Sequence, residues 1–122
     1  WAAFVNAGPT GKVLHIGDTG FDQGRPYRDL AARHGAIRAA ILPIGAYEPR
    51  WFMKDSHVNP SEALQVQKDV KAKAAIGIHW GTFDGMSDEP LDQAPKDLEL
   101  AKKESSTPVN FFVLKHGQSW RR

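Results

Sequence analysis

The sequence predicts an α/β layered domain with the element order ββαβαβαβ. Three observations carry that expectation. Short apolar runs recur at residues 1–6, 12–16, 36–43, 74–79 and 109–114. The later runs are separated by segments whose apolar residues fall at helical spacing. Two runs end abruptly in a side chain able to do chemistry, Asp18 after the second and His79 after the fourth. In α/β sheets ligands collect beyond the carboxyl ends of the strands.

The elements follow in order. Residues 1–6 and 12–16 flank Ala7-Gly8-Pro9-Thr10-Gly11, a cluster of turn formers, which predicts a hairpin with a loop longer than the two-residue ideal. A helix is expected over 25–35: Tyr27, Leu30, Ala31 and His34 are spaced near its period, Pro26 suits the first turn, and Gly35 suits the cap. Residues 36–43 form a nearly continuous apolar run, short enough for a strand buried on both faces. Residues 44–60 show no period but hold Tyr47, Trp51, Phe52, Met53 and His57, and a long connection with such bulk is more often functional than disordered. Asn59-Pro60-Ser61-Glu62 is a helix start, with Asn59 as cap, Pro60 in the first position and Glu62 reaching back as in a capping box. Ala63, Val66, Val70 and Ala74 would share one face of that helix. After the strand at 74–79 and a polar stretch around Asp88-Glu89-Pro90, residues 95–103 predict an amphipathic helix with Leu98 and Ala101 inward. A last strand is expected over 109–114. Repeats and low-complexity segments are absent.

Composition narrows the function classes. At 122 residues the chain holds one domain at most. A net charge of +2, with no cluster of Lys or Arg, argues against nucleic acid, and Arg121-Arg122 reads as a solvated end. No apolar stretch approaches the roughly 20 residues of a transmembrane helix. The absence of cysteine excludes disulfides and thiolate metal sites but leaves the compartment open between cytoplasm and membrane periphery. The chain begins at Trp1 rather than Met, in residues that already read as a strand, so a preceding segment is expected.

The chemistry centres on Gly17-Asp18-Thr19-Gly20 and on His79. An aspartate between glycines at a strand end is an ordinary turn, or a carboxylate delivered to a ligand. Its two oxygens suit it to bridge two metal ions, and an imidazole suits a terminal position on one of them. Metals so held lower the pKa of bound water to near 7 and make it a nucleophile. Two ligands alone under-supply even one catalytic zinc, which takes about three, and a lone histidine is otherwise satisfied by hydrogen bonds at a core edge.

Taken together, the ordered motifs resemble a known family. Gly17-Asp18-Thr19-Gly20, then 42–53 (Leu42-Pro43-Ile44-Gly45-Ala46-Tyr47-Glu48-Pro49-Arg50-Trp51-Phe52-Met53), then His57-Val58-Asn59-Pro60-Ser61-Glu62-Ala63, then His79-Trp80-Gly81-Thr82-Phe83 with Asp88-Glu89-Pro90, are similar to the metallo-β-lactamase superfamily. The nearest branch is the N-acylphosphatidylethanolamine-hydrolysing phospholipase D group. The resemblance implies an αββα sandwich with two metal ions, usually zinc, between its sheets. It implies Asp18 as the bridging aspartate and His79 as the last histidine ligand. His57 would stand beside the metals, for proton transfer or for binding a substrate phosphate. Tyr47, Trp51, Phe52 and Met53 would line a pocket for an apolar substrate portion, or pack against the sheet.

The family's His-x-His-x-Asp-His motif and its further first-half histidine are not in this sequence, and His15, His34 and His116 lack that spacing. The chain therefore resembles the C-terminal half of such an enzyme, a single partial domain over 1–122. Half of a two-sheet sandwich exposes an apolar sheet face, so self-association or pairing with a missing N-terminal half is expected. Three functions stay open. The intact parent hydrolyses a phosphodiester, as phospholipase D does, with this chain inactive alone; or it hydrolyses another ester, a lactone or a sugar phosphate; or the scaffold is a non-catalytic interaction domain.

Overall fold

The apolar runs form one five-stranded sheet in chain order, with β1 Ala3–Gly8, β2 Gly11–Ile16, β3 Ala39–Pro43, β4 Ala75–Ile78 and β5 Phe111–Val113. The computed structural model describes residues 2–121; Trp1 of the expected first strand and Arg122 of the expected solvated end lie outside the described residues. β1 pairs antiparallel with β2 up to Gly8 opposite Gly11, so the hairpin turns on Pro9 and Thr10 alone and not on the longer loop expected, and β2, β3, β4 and β5 pair parallel in succession. The helices are α1 Arg25–His34, α2 Arg50–Met53, α3 Pro60–Asp69 and α4 Gln93–Glu104.

Right-handed crossovers between strands laid down in chain order put every connecting helix on the same face. Accordingly α3 packs between α1 and α4. The register displays the resulting asymmetry. One row of paired residues, Leu14, Ala40, Ala75 and Phe111, is buried beneath the helices. The adjacent row, Phe4, His15, Ile41, Ile76 and Phe112, points to the other face, where none is buried and Phe4 is 61% exposed. Since neighbouring residues of a strand face opposite ways, this is a sheet with a helical layer on one side and an open, largely apolar second side. It has the make-up expected of half an αββα sandwich.

Local sequence explains most boundaries. Pro26 lies in the first turn of α1, Tyr27 and Ala31 turn inward, and Gly35 closes the helix at φ 67 with its N–H on the Ala31 carbonyl (2.8 Å). The Asn59 and Glu62 capping box is complete. Other elements depart from expectation: α3 ends at Asp69 with Val70 at its cap, so Ala74 lies beyond the helix whose face it was expected to share. α4 starts at Gln93 rather than 95, because a proline in the first helical turn lacks only an N–H that has no intrahelical partner there. β3 is shorter than its apolar run, residues 36–38 contributing only an isolated bridge from Ile37 to Ala72. β5 likewise occupies only the middle of its run. The connection 44–60 contains α2, a single turn too short to display a period.

Candidate metal centre

β2 and β4 carry Asp18 and His79 at their carboxyl ends, but the strands are not neighbours: β3 runs between them. Two strand spacings amount to roughly 10 Å, yet His79 Nε2 stands 3.2 Å from Asp18 Oδ1. Two local features close the gap. His79 adopts φ 61, the left-handed region in which non-glycine residues are uncommon, so the chain turns sharply as it leaves β4. Gly45, just past β3, lies under that turn: a Cβ there would overlap the His79 carbonyl oxygen and come within 3.0 Å of Trp80 Cα.

His57 completes the group. One ligand atom from each of Asp18, His57 and His79 lies within 4.8 Å of the others, and the two imidazoles stack with centroids 5.5 Å apart at 26°. The loops are tied to one another. The Tyr27 hydroxyl donates to the Gly20 carbonyl (2.6 Å), and the Val58 N–H donates to the Thr19 carbonyl (2.9 Å). Gly20 is required by its own chain rather than by a ligand, since a Cβ would strike the Asp55 carbonyl. Gly17 meets only the Ala2 carbonyl, at 3.6 Å, and has no such constraint.

The donor set fits a divalent metal: a carboxylate with two imidazoles is a common ligand chemistry for zinc. Burial pulls the His57 imidazole below the ordinary histidine pKa, and the Asp18 carboxylate draws it partly back. A neutral ring is the form that ligates. His57 Nδ1 is buried without a hydrogen-bond partner, and a buried polar atom left unpaired calls for an ion, a water or a catalytic task.

A cavity of about 450 Å³ opens beside the three residues. Of the four residues proposed for an apolar pocket, Phe52 and Met53 line it; Tyr47 and Trp51 do not. The Tyr47 ring is buried, and its hydroxyl donates to Asp97 (2.5 Å) on α4. That burial and that carboxylate raise the phenol's pKa. Trp51 is 79% exposed against Phe52, at a ring separation of 5.7 Å. The remaining apolar wall comes from Trp80, Phe83, Met86 and Leu91, to which no pocket role is assigned above; Phe83 and Met86 are large side chains with no strand or helix to bury them. Glu89 fastens this wall to the site. Its carboxylate accepts the N–H groups of Tyr47 (3.2 Å) and Glu48 (3.0 Å).

Residues 1–80 match the family model described as a beta-lactamase superfamily domain. The chain belongs to the metallo-β-lactamase superfamily. Within it the chain is 38% identical over 122 residues to N-acyl-phosphatidylethanolamine-hydrolyzing phospholipase D 1 of Caenorhabditis elegans, a match covering 98% of this chain and 34% of that protein. It is 39% identical over 102 residues to the mitochondrial protein of the same name in Saccharomyces cerevisiae, covering 82% of this chain and 21% of that one. These relatives support the phospholipase D-like branch. The chain thus spans about a third or less of their length. A Thermotoga maritima superfamily member shares the fold, with TM-score 0.60 at 20% identity over 91% of this chain and 56% of that one. In this metallo-β-lactamase scaffold, Asp18 and His79 sit at strand ends and His57 on a loop between helices.

Among the described residues no helix is long and apolar enough to cross a membrane.

Proposed function

We propose that this chain is the C-terminal part of a metal-dependent phosphodiester hydrolase of the phospholipase D-like kind. The observation that carries the reading is the convergence of Asp18, His57 and His79 beside an apolar-walled cavity. Asp18 and His79 would hold metal, two zinc ions in the intact enzyme, which supply a water of lowered pKa as nucleophile. Other ligands would come from the His-x-His-x-Asp-His segment of a longer parent.

The chain's own groups have separable tasks. His57, held neutral by burial, accepts a proton at the reacting centre and can then pass that proton to the departing oxygen. Phe52 and Met53 with Phe83 and Met86 give the cavity apolar walls for the hydrocarbon portion of a diester. Glu89 keeps that wall seated by accepting two backbone N–H groups. The open face of the sheet would be covered by the missing half or by a second copy. Alone, the chain would be inactive for want of ligands.

The test compares the natural full-length protein, its Asp18→Asn and His79→Ala variants, and this chain alone. The substrates are bis(p-nitrophenyl) phosphate and N-acylphosphatidylethanolamine in mixed micelles. Zinc-dependent turnover by the full-length protein, lost in both variants and absent from the chain alone, is expected. Turnover of carboxylic esters or lactones with none of the diesters would overturn the substrate assignment. Chelator-insensitive turnover would overturn the metal assignment.

A further inference from the structure

Among the described residues the His57 ring makes no hydrogen bond of its own: Nδ1 is buried without a partner. With only the stack on His79 to hold the ring itself, its place beside His79 and Asp18 depends on the backbone that carries it. That backbone lies in the turn between α2 and α3, outside any strand ladder.

Two bonds hold residue 57. Its N–H donates to the Met53 carbonyl (2.8 Å), and its carbonyl accepts Arg50 Nη1 (2.8 Å). The same Nη1 reaches the Tyr47 carbonyl (3.3 Å), so one guanidinium edge gathers the stretches before and after α2. The opposite edge faces a carboxylate: Arg50 Nη2 donates to Glu62 Oε1 (3.0 Å) and Oε2 (2.8 Å). Glu62 is the reciprocal member of the α3 capping box, accepting the Asn59 N–H (2.9 Å) while its own N–H donates to Asn59 Oδ1 (2.8 Å). Both side chains are about a quarter exposed, so solvent screening is only partial.

We infer that Arg50, braced by Glu62, is the positioning residue that aims His57 into the cluster with His79 and Asp18. A rigid planar fork can serve a carboxylate on one side and carbonyls on the other, whereas a lysine ammonium is a single point. The role rests on the reading of Asp18, His57 and His79 as the working cluster, but its geometry needs neither metal nor substrate. Arg50 does not itself line the cavity, so its effect is transmitted through the His57 backbone.

The test is the nuclear Overhauser cross-peak between the His57 and His79 rings in the metal-free chain. It is measured for the unsubstituted protein, Arg50→Met, Arg50→Lys and a control, Leu98→Ala, which weakens the core on α4 away from the site. Expected is a cross-peak in the unsubstituted chain and in Leu98→Ala, its loss in Arg50→Met, and incomplete recovery in Arg50→Lys. A loss shared with Leu98→Ala would reduce Arg50 to general stability and overturn the role. So would a full cross-peak in Arg50→Met, or none in the unsubstituted chain. If Arg50→Met does not fold, the Arg50→Lys comparison decides alone, a full cross-peak there overturning the role. Because no turnover is read, these outcomes are independent of whether the parent hydrolyses a phosphodiester.

Discussion

Gly45→Ala is the substitution that most directly tests how the site is built. A Cβ at position 45 would overlap the His79 carbonyl oxygen, sit 3.0 Å from Trp80 Cα and 3.1 Å from the His79 carbonyl carbon. All three are main-chain atoms, so no side-chain rotation relieves the overlap, and the turn after β4 has to move by about an ångström to reach ordinary contact. Overpacking of this kind costs about 1–3 kcal/mol, and the rigid backbone argues for the upper end. For a domain of this size that is a fall in Tm of about 10 °C, small enough that the native state remains populated. Gly17→Ala is the control, since its Cβ meets only the Ala2 carbonyl at 3.6 Å and the change should stay within about 0.5 kcal/mol. Urea titration gives both values, and the ring signals of His79 show whether the turn has moved. If Gly45→Ala is as stable as Gly17→Ala and leaves those signals in place, the close-approach argument is wrong.

Asn59→Ala removes the cap on the Glu62 N–H and should cost about 1 kcal/mol, read as a lower urea midpoint. The depressed His57 pKa means that below the ordinary histidine value the unfolded chain binds this proton and the native chain does not. Stability of the metal-free chain should therefore be complete above about pH 6.5 and decline as the pH falls below it. His57→Gln should flatten that decline, checked by urea midpoints across the range. Tyr47→Phe leaves Asp97 with one fewer donor beside Gln93 and should cost about 1–2 kcal/mol, without changing the cavity wall, as thermal unfolding and a substrate-binding comparison would show. On the open face, Ile76→Lys should lower concentration-dependent self-association of this chain in sedimentation runs; a chain that is monomeric at all concentrations before substitution would argue that a second copy does not cover the face.

What was legible in the sequence was whatever depends on neighbours in the chain. The capping box at Asn59 and Glu62, the Pro26 start and Gly35 end of α1, and the apolar runs of β2 and β4 are all local signals, and all are present. So was the identity of Asp18 and His79 as side chains placed at strand ends. What could not be read there depends on packing between distant segments. The single turn of α2 has no periodicity to detect. The burial of Tyr47 follows from Asp97, fifty residues away. The left-handed backbone at His79 leaves no compositional mark, because residue 79 is not a glycine.

The same division explains how the cluster forms at all. Adjacent strands would bring Asp18 and His79 together by ladder spacing alone, but here β3 separates their strands, and convergence has to be built across its end. β3 runs out into Ile44 and Gly45, where the missing side chain leaves the His79 backbone room to fold across. On the other side, Gly20 lets the segment at Asp55 settle on the Asp18 loop, and two residues later that segment delivers His57. Each glycine is thus occupied by another piece of the chain rather than by a ligand, and both bring main-chain segments close so that side chains can meet. The geometry of the cluster is consequently set by backbone packing. His57, which the family resemblance sets beside the metals but whose place no local sequence signal fixes, joins Asp18 and His79 through that packing.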